Sequence, residues 1–279
     1  MSSLTQFARS RAAERAAVVN QERERVLRDP AEEPVHDLRV ALRRMEQIFE
    51  LFDTEPLAFD VQHAQTLLKD WLRAAGRVRD CDVVMPLLQA PWTNDLLAYR
   101  QERSMELLDV LSAAPSMPAP RVRNSPVTEE VAQFARITLP REAKAYFRAG
   151  ARAARKNHSL GRLHEFRLHG KSLRYSVELF EPLYGPRIAV LQKMLKRTQQ
   201  LLGEMADARA GLKLLKQMNA PEPVLEPLRQ LASEKRDAFA VRWFEEVPDN
   251  AVAAKWVEYL RRYASSVRGR PVLGRDNQS

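Results

Sequence analysis

Residues 35–45 read VHDLRVALRRM and run on to Glu50-Leu51-Phe52, and residues 163–173 read LHEFRLHGKSL and run on to Glu178-Leu179-Phe180. Histidine, acid, apolar residue, Arg, a second basic residue seven after the His and the closing Glu-Leu-Phe all coincide at an offset of 128. Farther on, Leu68-Lys69, Gly76 and Asp80 match Leu195-Lys196, Gly203 and Asp207 at an offset of 127. One residue of slippage over units of about 140 residues points to an internal duplication, which constrains the fold more than any single motif does.

The repeated unit reads as helix. Between Pro clusters the chain is rich in Ala, Leu, Arg, Glu and Gln, and its apolar residues recur at steps of three and four. The pattern predicts helices near 3–28, 34–53, 60–76, 80–90, 94–113, 128–157, 161–181, 187–203, 207–219, 223–247 and 250–264. Breaks are expected at Pro30 to Pro34, Glu55-Pro56, Pro86 to Pro91, Pro182 to Pro186, and Pro221 with Pro223. The expected fold class is therefore all-α. Residues 112–126 carry four prolines in 15 positions and read as the linker between a first half, 3–113, and a second. The second half divides into a core at 127–219 and C-terminal helices at 220–265, followed by a polar, flexible tail at 266–279.

Charge is concentrated in one place. The chain carries 45 Lys+Arg against 36 Asp+Glu in 279 residues, a net of +9. Between Arg141 and Lys213 stand 16 basic and 6 acidic residues, leaving 29 and 30 in the remainder. The whole excess thus belongs to one stretch of the second half, which suggests an anionic partner. Arg supplies 35 of the 45 cations, and its planar fork matches phosphate oxygens. A high-GC genome would also favour Arg codons.

In each repeat the apolar face is one stripe and the charge another. Val35, Leu38, Leu42, Met45, Phe49 and Phe52 form a core face, mirrored by Leu163, Phe166, Gly170, Leu173, Val177 and Phe180. A rotation of about 100° brings up His36, Arg39 and Arg43 in one copy and His164, Arg167, Lys171 and Arg174 in the other. Stacked like charges repel at about 0.2–0.5 kcal/mol per pair, so something anionic should lie opposite. Solvated surface charges, or pairing with Asp80 and Asp207, would also accommodate one such stripe. Two stripes, with acids scarce in the second half, favour an external polyanion. The rise of about 5.4 Å per turn suits a run of phosphates. The following helices add Lys69 with Arg73, and Lys193, Lys196 and Arg197; Lys144, Arg148, Arg152 and Arg155 form another basic face, of which Arg148 and Arg152 are secondary candidates.

The repeated H-x-x-R-x-x-x-[RK] stripe resembles the CHAD domain, the conserved-histidine α-helical domain. The residues that carry the resemblance are VHDLRVALRRMEQIFELF (35–52) and LHEFRLHGKSLRYSVELF (163–180), with the follow-on elements GRVRDCDVVMPLL (76–88) and LGEMADARAGLKLL (202–215). It spans roughly residues 3–265 and implies a single CHAD domain over 1–265. The fold it implies is two similar antiparallel four-helix bundles related by pseudo-twofold symmetry, with a basic cleft or pore between them. The function it implies is non-catalytic binding of inorganic polyphosphate, with association with polyphosphate granules, with granule proteins or with polyphosphate-metabolising enzymes as partners. Carried over by position, the family's His falls on His36 and His164, its Arg on Arg39 and Arg167, and its next basic residue on Arg43 and Lys171. The following basic position is Arg44 in the first copy but Ser172 in the second. Arg174-Tyr175 have Glu46-Gln47 as counterparts, Gly170 stands where Leu42 does, and Arg209 replaces the acid seen at Asp82. The second half is accordingly expected to dominate binding.

Other chemistries fit less well. His36 and His164 lack a His, Cys or Glu at the i+4 spacing of a helical metal site, and no cofactor is expected. A histidine in such a stripe can donate a hydrogen bond to a phosphate oxygen, or can serve only in packing. The chain has no E-x-E-x-K motif of the CYTH triphosphatases, no phosphate-binding G-x-x-x-x-G-K-[ST] loop and no G-x-S-x-G elbow, so no enzyme is expected. Cys81, the single cysteine, lies between Asp80 and Asp82, which oppose thiolate formation. Nucleic acid is a rival polyanion, but no base-reading motif is present, and Trp71, Phe49, Phe52, Phe166 and Phe180 follow the apolar register. A helical protein-docking scaffold is a third reading, opposed by the doubled stripe. No run is long and apolar enough for a membrane span, and no secretory h-region stands at the N-terminus, so a cytoplasmic address, on granules under the polyphosphate reading, is expected.

Overall fold

A computed structural model of the chain describes residues 3–52, 60–88, 92–114, 116–120, 130–155 and 160–264. The tail expected at 266–279, the Glu55-Pro56 break and the second part of the 112–126 segment lie outside the described residues. Among the described residues the chain is all-α. Its helices are α1 (Leu4–Arg28), α2 (Glu32–Leu51), α3 (Asp60–Val84), α4 (Trp92–Ser112), α5 (Val131–Ala153), α6 (Leu160–Phe180), α7 (Ile188–Gln217), α8 (Glu222–Glu246) and α9 (Asn250–Arg262). Short 3-10 turns, Met85–Leu87 and Glu181–Leu183, each with a proline in the turn, follow α3 and α6. No described helix is long and apolar enough to cross a membrane.

Most helices lie where the periodicity puts them, with one kind of exception. The expected pairs 60–76 with 80–90, and 187–203 with 207–219, are each one continuous helix through Gly76 and Gly203. A glycine inside a helix costs about 1 kcal/mol relative to Ala, too little to end one whose flanking residues are buried. Leu72, Ala75 and Val78 are buried around the first glycine, and Leu202 and Met205 around the second. Pro140 and Pro227 likewise lie within α5 and α8. α7 is closed just past Gln217 by Asn219, whose φ of 58° is the left-handed conformation that ends a helix, with the Ala220 amide donating to Leu215 O.

Burial follows the apolar stripes. Val35, Leu38, Leu42 and Met45 of α2 are fully buried with Trp71 of α3 and Leu107 of α4. A larger core joins α5 to α9 around Phe166, Phe180, Phe239 and Trp243, and reaches α1 through Ala8 and Ala12. A third cluster, with Val84, Leu96, Leu215 and Leu228, ties the ends of α3 and α4 to α7 and α8. Two glycines allow this packing. A Cβ on Gly211 of α7 would stand 2.5 Å from Leu228 Cδ2 and 2.6 Å from Val84 Cγ2, and one on Gly150 of α5 would run into the Trp243 ring. The first part of the 112–126 segment is held against α1: Asn20 exchanges hydrogen bonds with the Met117 backbone, and the buried Arg23 donates to Leu111 O at 2.9 Å and Ala114 O at 2.7 Å.

Candidate functional site

α2 packs on α3 and α6, and α7 packs on α3 and α6, so the two repeated segments face one another through four helices. Because the core stripes of α2 and α6 point into the hydrophobic clusters, the adjacent stripes turn toward each other. Arg39 and Arg43 of α2 thereby meet Arg167, Lys171 and Arg174 of α6 in a single half-buried cationic cluster.

The electrostatics are those of like charges held out of water. Burial pushes the Lys171 ammonium down to about 7, and Arg167, Arg43, Arg39 and Arg174 push in the same direction. Burial also lowers Arg39, with Arg43 adding to it, and lowers Arg167, with Asp207 opposing. The carboxylates at the equivalent positions Asp80 of α3 and Asp207 of α7 are the acids of this interior. By charge attraction Asp80 favours the protonated form of Arg39, and Asp207 that of Arg167, against the burial that lowers both. Both acids are raised by burial despite their cationic neighbours. Arg43 also pairs with Glu46 at 2.6 Å and Arg174 with Glu178 at 3.6 Å, so four acids face the five cations and the balance stays positive, the condition under which a mobile anion is attracted.

A glycine fits the cluster to α3. A Cβ on Gly76 would stand 2.9 Å from Arg39 Nη1, and that guanidinium nitrogen donates to Leu72 O at 3.3 Å. At the equivalent Gly203 nothing lies within 4 Å. In the second copy the apolar register is filled differently: the Tyr146 ring of α5 comes within 3.3 Å of where a Cβ on Gly170 would be.

The remaining residues singled out in the sequence separate into three groups. His36 and His164 are exposed, one turn before Arg39 and Arg167. Lys69, Lys193 and Lys196 are exposed on the helical faces that carry Gly76 with Asp80 and Gly203 with Asp207. Arg44, Arg197, Arg148 and Arg152 are directed elsewhere. Arg44 pairs with Glu178 at 3.2 Å beside Arg15, and Arg197 with Glu246 at 3.6 Å. Arg152 pairs with Glu165 at 2.7 Å, and with Arg148 it lines a groove of about 690 Å³ between α5, the end of α8 and α9. A second groove, of about 680 Å³, continues along α5 past Arg141.

Sequence reasoning gave no role to Arg79 or Lys213 and named Tyr175 only as the motif neighbour of Arg174. Arg79 acts on both Arg39 and Asp207 while donating to Glu32 at 2.6 Å, Lys213 acts on Asp80, and Tyr175 carries the Arg174 guanidinium 4.7 Å above its ring. Only adjacency to Asp80 and Arg174 could have flagged the first and last. Cys81 is buried, and burial with Asp82 and Asp80 pushes its thiol up to about 12, which removes it as a nucleophile near neutral pH. Among the described residues no group of three or more His, Cys, Asp or Glu side chains could hold a metal ion.

The fold has counterparts among known proteins. The family model described as "CHAD domain" matches residues 10–216. The crystal structure of the CHAD domain from the plant Ricinus communis superposes with a TM-score of 0.63, covering 95% of this chain and 94% of that one at 17% identity, a likeness of fold. No curated protein sequence matches the chain.

Proposed function

The chain belongs to the CHAD domain family, and we propose that it binds inorganic polyphosphate, without catalysing any reaction, at the cationic cluster between α2 and α6. Family membership supports a binding role. The observation that carries the finer reading is Lys171, held down to about 7 by burial and by four neighbouring cations. A cluster of that kind is destabilised by its own charge, and a chain of phosphates relieves the repulsion by several charge-assisted hydrogen bonds at once. Polyphosphate matches it because the cations recur along helices at about 5.4 Å per turn, and the ring among them, Tyr175, is buried beneath Arg174 and not open to stacking bases.

In this reading Arg39, Arg43, Arg167, Lys171 and Arg174 grip the polymer, and the exposed His36, His164, Lys69, Lys193 and Lys196 extend the track to solvent. In the same reading the two repeats are similar antiparallel four-helix bundles related by a pseudo-twofold axis, with the basic cleft between them. Arg43 and Arg174 would exchange their partners Glu46 and Glu178 for phosphate, while Arg44 and Arg197, outside the group that surrounds Lys171, contribute less. Binding of this kind would place the protein on polyphosphate granules or beside an enzyme that acts on the polymer.

The test is competition between long polyphosphate, short polyphosphate, DNA and RNA at two salt concentrations, with Arg167→Glu/Lys171→Glu alongside. Long polyphosphate should bind most tightly and the double variant should lose it. DNA binding at least as tight at matched salt, or an unaffected double variant, would sink the proposal.

A further inference from the structure

The groove between α5 and α9 has a chemistry that the central cluster lacks. Its floor is apolar, built from Phe147, Trp243 and Val257, and Phe244 on its rim is 51% exposed. In the continuation of the groove along α5, Ile137 is 58% exposed beside Pro140. Large apolar side chains left half open on the border of a concave surface mark a surface that something covers.

The same surface is basic on balance, although Asp249 and Glu258 line it on the α9 side. Arg141, Lys144, Arg148 and Arg152 stand at steps of three, four and four along α5, so their charges line one side of the groove over about 16 Å of helix axis. Arg261 of α9 faces them from the other side. Arg152 is paired with Glu165 and Arg261 with Glu258, whereas Arg141, Lys144 and Arg148 make no ion pair with another described residue. The continuation past Arg141 is lined by cations without a single acid among its described residues.

We infer that this groove docks an acidic amphipathic helix of a partner protein. Polyphosphate has no apolar group with which to cover Phe244 or Ile137, and a flat anionic membrane cannot follow the concave floor to Trp243. A helix laid between α5 and α9 places apolar residues at i, i+3, i+4 and i+7 on the floor and its carboxylates against the α5 cations. The length of the basic row corresponds to about three helical turns of such a segment. This surface is separate from the cluster between α2 and α6, so the two interactions stand or fall independently.

The probe is a fluorescent peptide of about 18 residues with Leu and Phe at the i, i+3, i+4 and i+7 positions and Glu on the remaining faces. It is titrated beside a Glu-only peptide of equal charge. The expected result is saturable binding of the amphipathic peptide and weaker binding of the Glu-only one. Affinity should drop by about tenfold or more for Lys144→Glu/Arg148→Glu and by several-fold for Phe244→Ser. Binding should persist in Lys171→Glu and in the presence of long-chain polyphosphate. All the substituted groove positions are exposed or half-exposed, and circular dichroism checks that each variant is folded. Absence of saturable binding, indifference to the groove variants, equal binding of the Glu-only peptide, or displacement by polyphosphate would each overturn the inference.

Discussion

The Arg39 guanidinium lies in the space that a side chain on Gly76 would need, with Nη1 2.9 Å from the position of a Cβ there. Gly76→Ala should therefore move Arg39, the end of a flexible side chain, while adding helix propensity. The folded state is expected to hold or gain up to about 1 kcal/mol while polyphosphate affinity falls. The equivalent Gly203→Ala meets nothing within 4 Å and should gain about 0.5–1 kcal/mol without affecting binding. Urea denaturation and polyphosphate titration of both variants separate the two positions.

Lys171 makes stability depend on pH. Its folded value, about 7, lies below the ordinary 10.5, so between those limits the unfolded chain binds more protons than the folded one. Stability should rise with pH through that window. Lys171→Met should flatten the rise and stabilise the protein at pH 7 by about 1–2 kcal/mol, read from denaturation midpoints on either side of the window. Under the proposed function polyphosphate would restore the proton, so calorimetry in buffers of different ionisation enthalpy should report proton uptake on binding, and Lys171→Met should abolish it.

Glu142 acts in the opposite sense. Burial pushes its carboxyl up to about 7, with Glu50 adding to the rise and hydrogen bonds to Ser176 and Ser172 opposing it. The folded chain then holds the extra proton between the ordinary 4.5 and about 7, and stability should fall as pH rises through that window. With Lys171, this predicts a minimum of stability near neutral pH. Glu142→Gln should remove the acid-side slope in a pH series of thermal melts and leave the alkaline-side slope in place.

Salt reports on the number of phosphate contacts. With four or five cations engaged, log affinity against log salt should have a slope of about −3. Arg43→Gln should weaken binding and make that slope shallower by close to one contact. A variant that weakens binding at unchanged slope would place Arg43 outside the phosphate track.

Gly150 tests the packing beneath the α5–α9 groove. Because the Trp243 ring fills the space beside it, Gly150→Ala should destabilise the fold by about 1–3 kcal/mol, the reverse of the usual effect of alanine in a helix. A melting-temperature loss in Gly150→Ala together with a gain in Gly203→Ala would establish the contrast.

Local pattern carries the helices and the faces of α2 and α6, because a stripe of apolar residues at helical spacing declares its own orientation. Leu38, Leu42, Phe166 and Leu173 are buried as their register requires. Contacts between distant segments leave no such trace. Arg23 reads as one more surface cation of α1, yet two carbonyls some ninety residues away hold it inside. Gln47 and Ser176 look like ordinary polar residues until α2 and α6 come together and Gln47 Nε2 donates to Ser176 Oγ at 3.2 Å. Gly76 and Gly203 invite a break in the reading because glycine's freedom is visible in sequence, while the neighbours that hold each helix straight are not. The basic row of α5 is evident, but its separation from the stripe of α6 depends on which side of α5 receives α9.

α3 and α7 run unbroken past both glycines, so the acid at the inner end of each and the lysines toward its outer end move only as one rod. Neither rod bends at its glycine, so its acid and lysines keep a fixed spacing when a ligand arrives. Under the proposed function the loss of conformational freedom on association would fall chiefly on the flexible phosphate chain. Chain stiffness becomes a determinant of affinity in its own right: a polymer already extended by metal-free self-repulsion should bind more readily than the same polymer coiled by divalent cations.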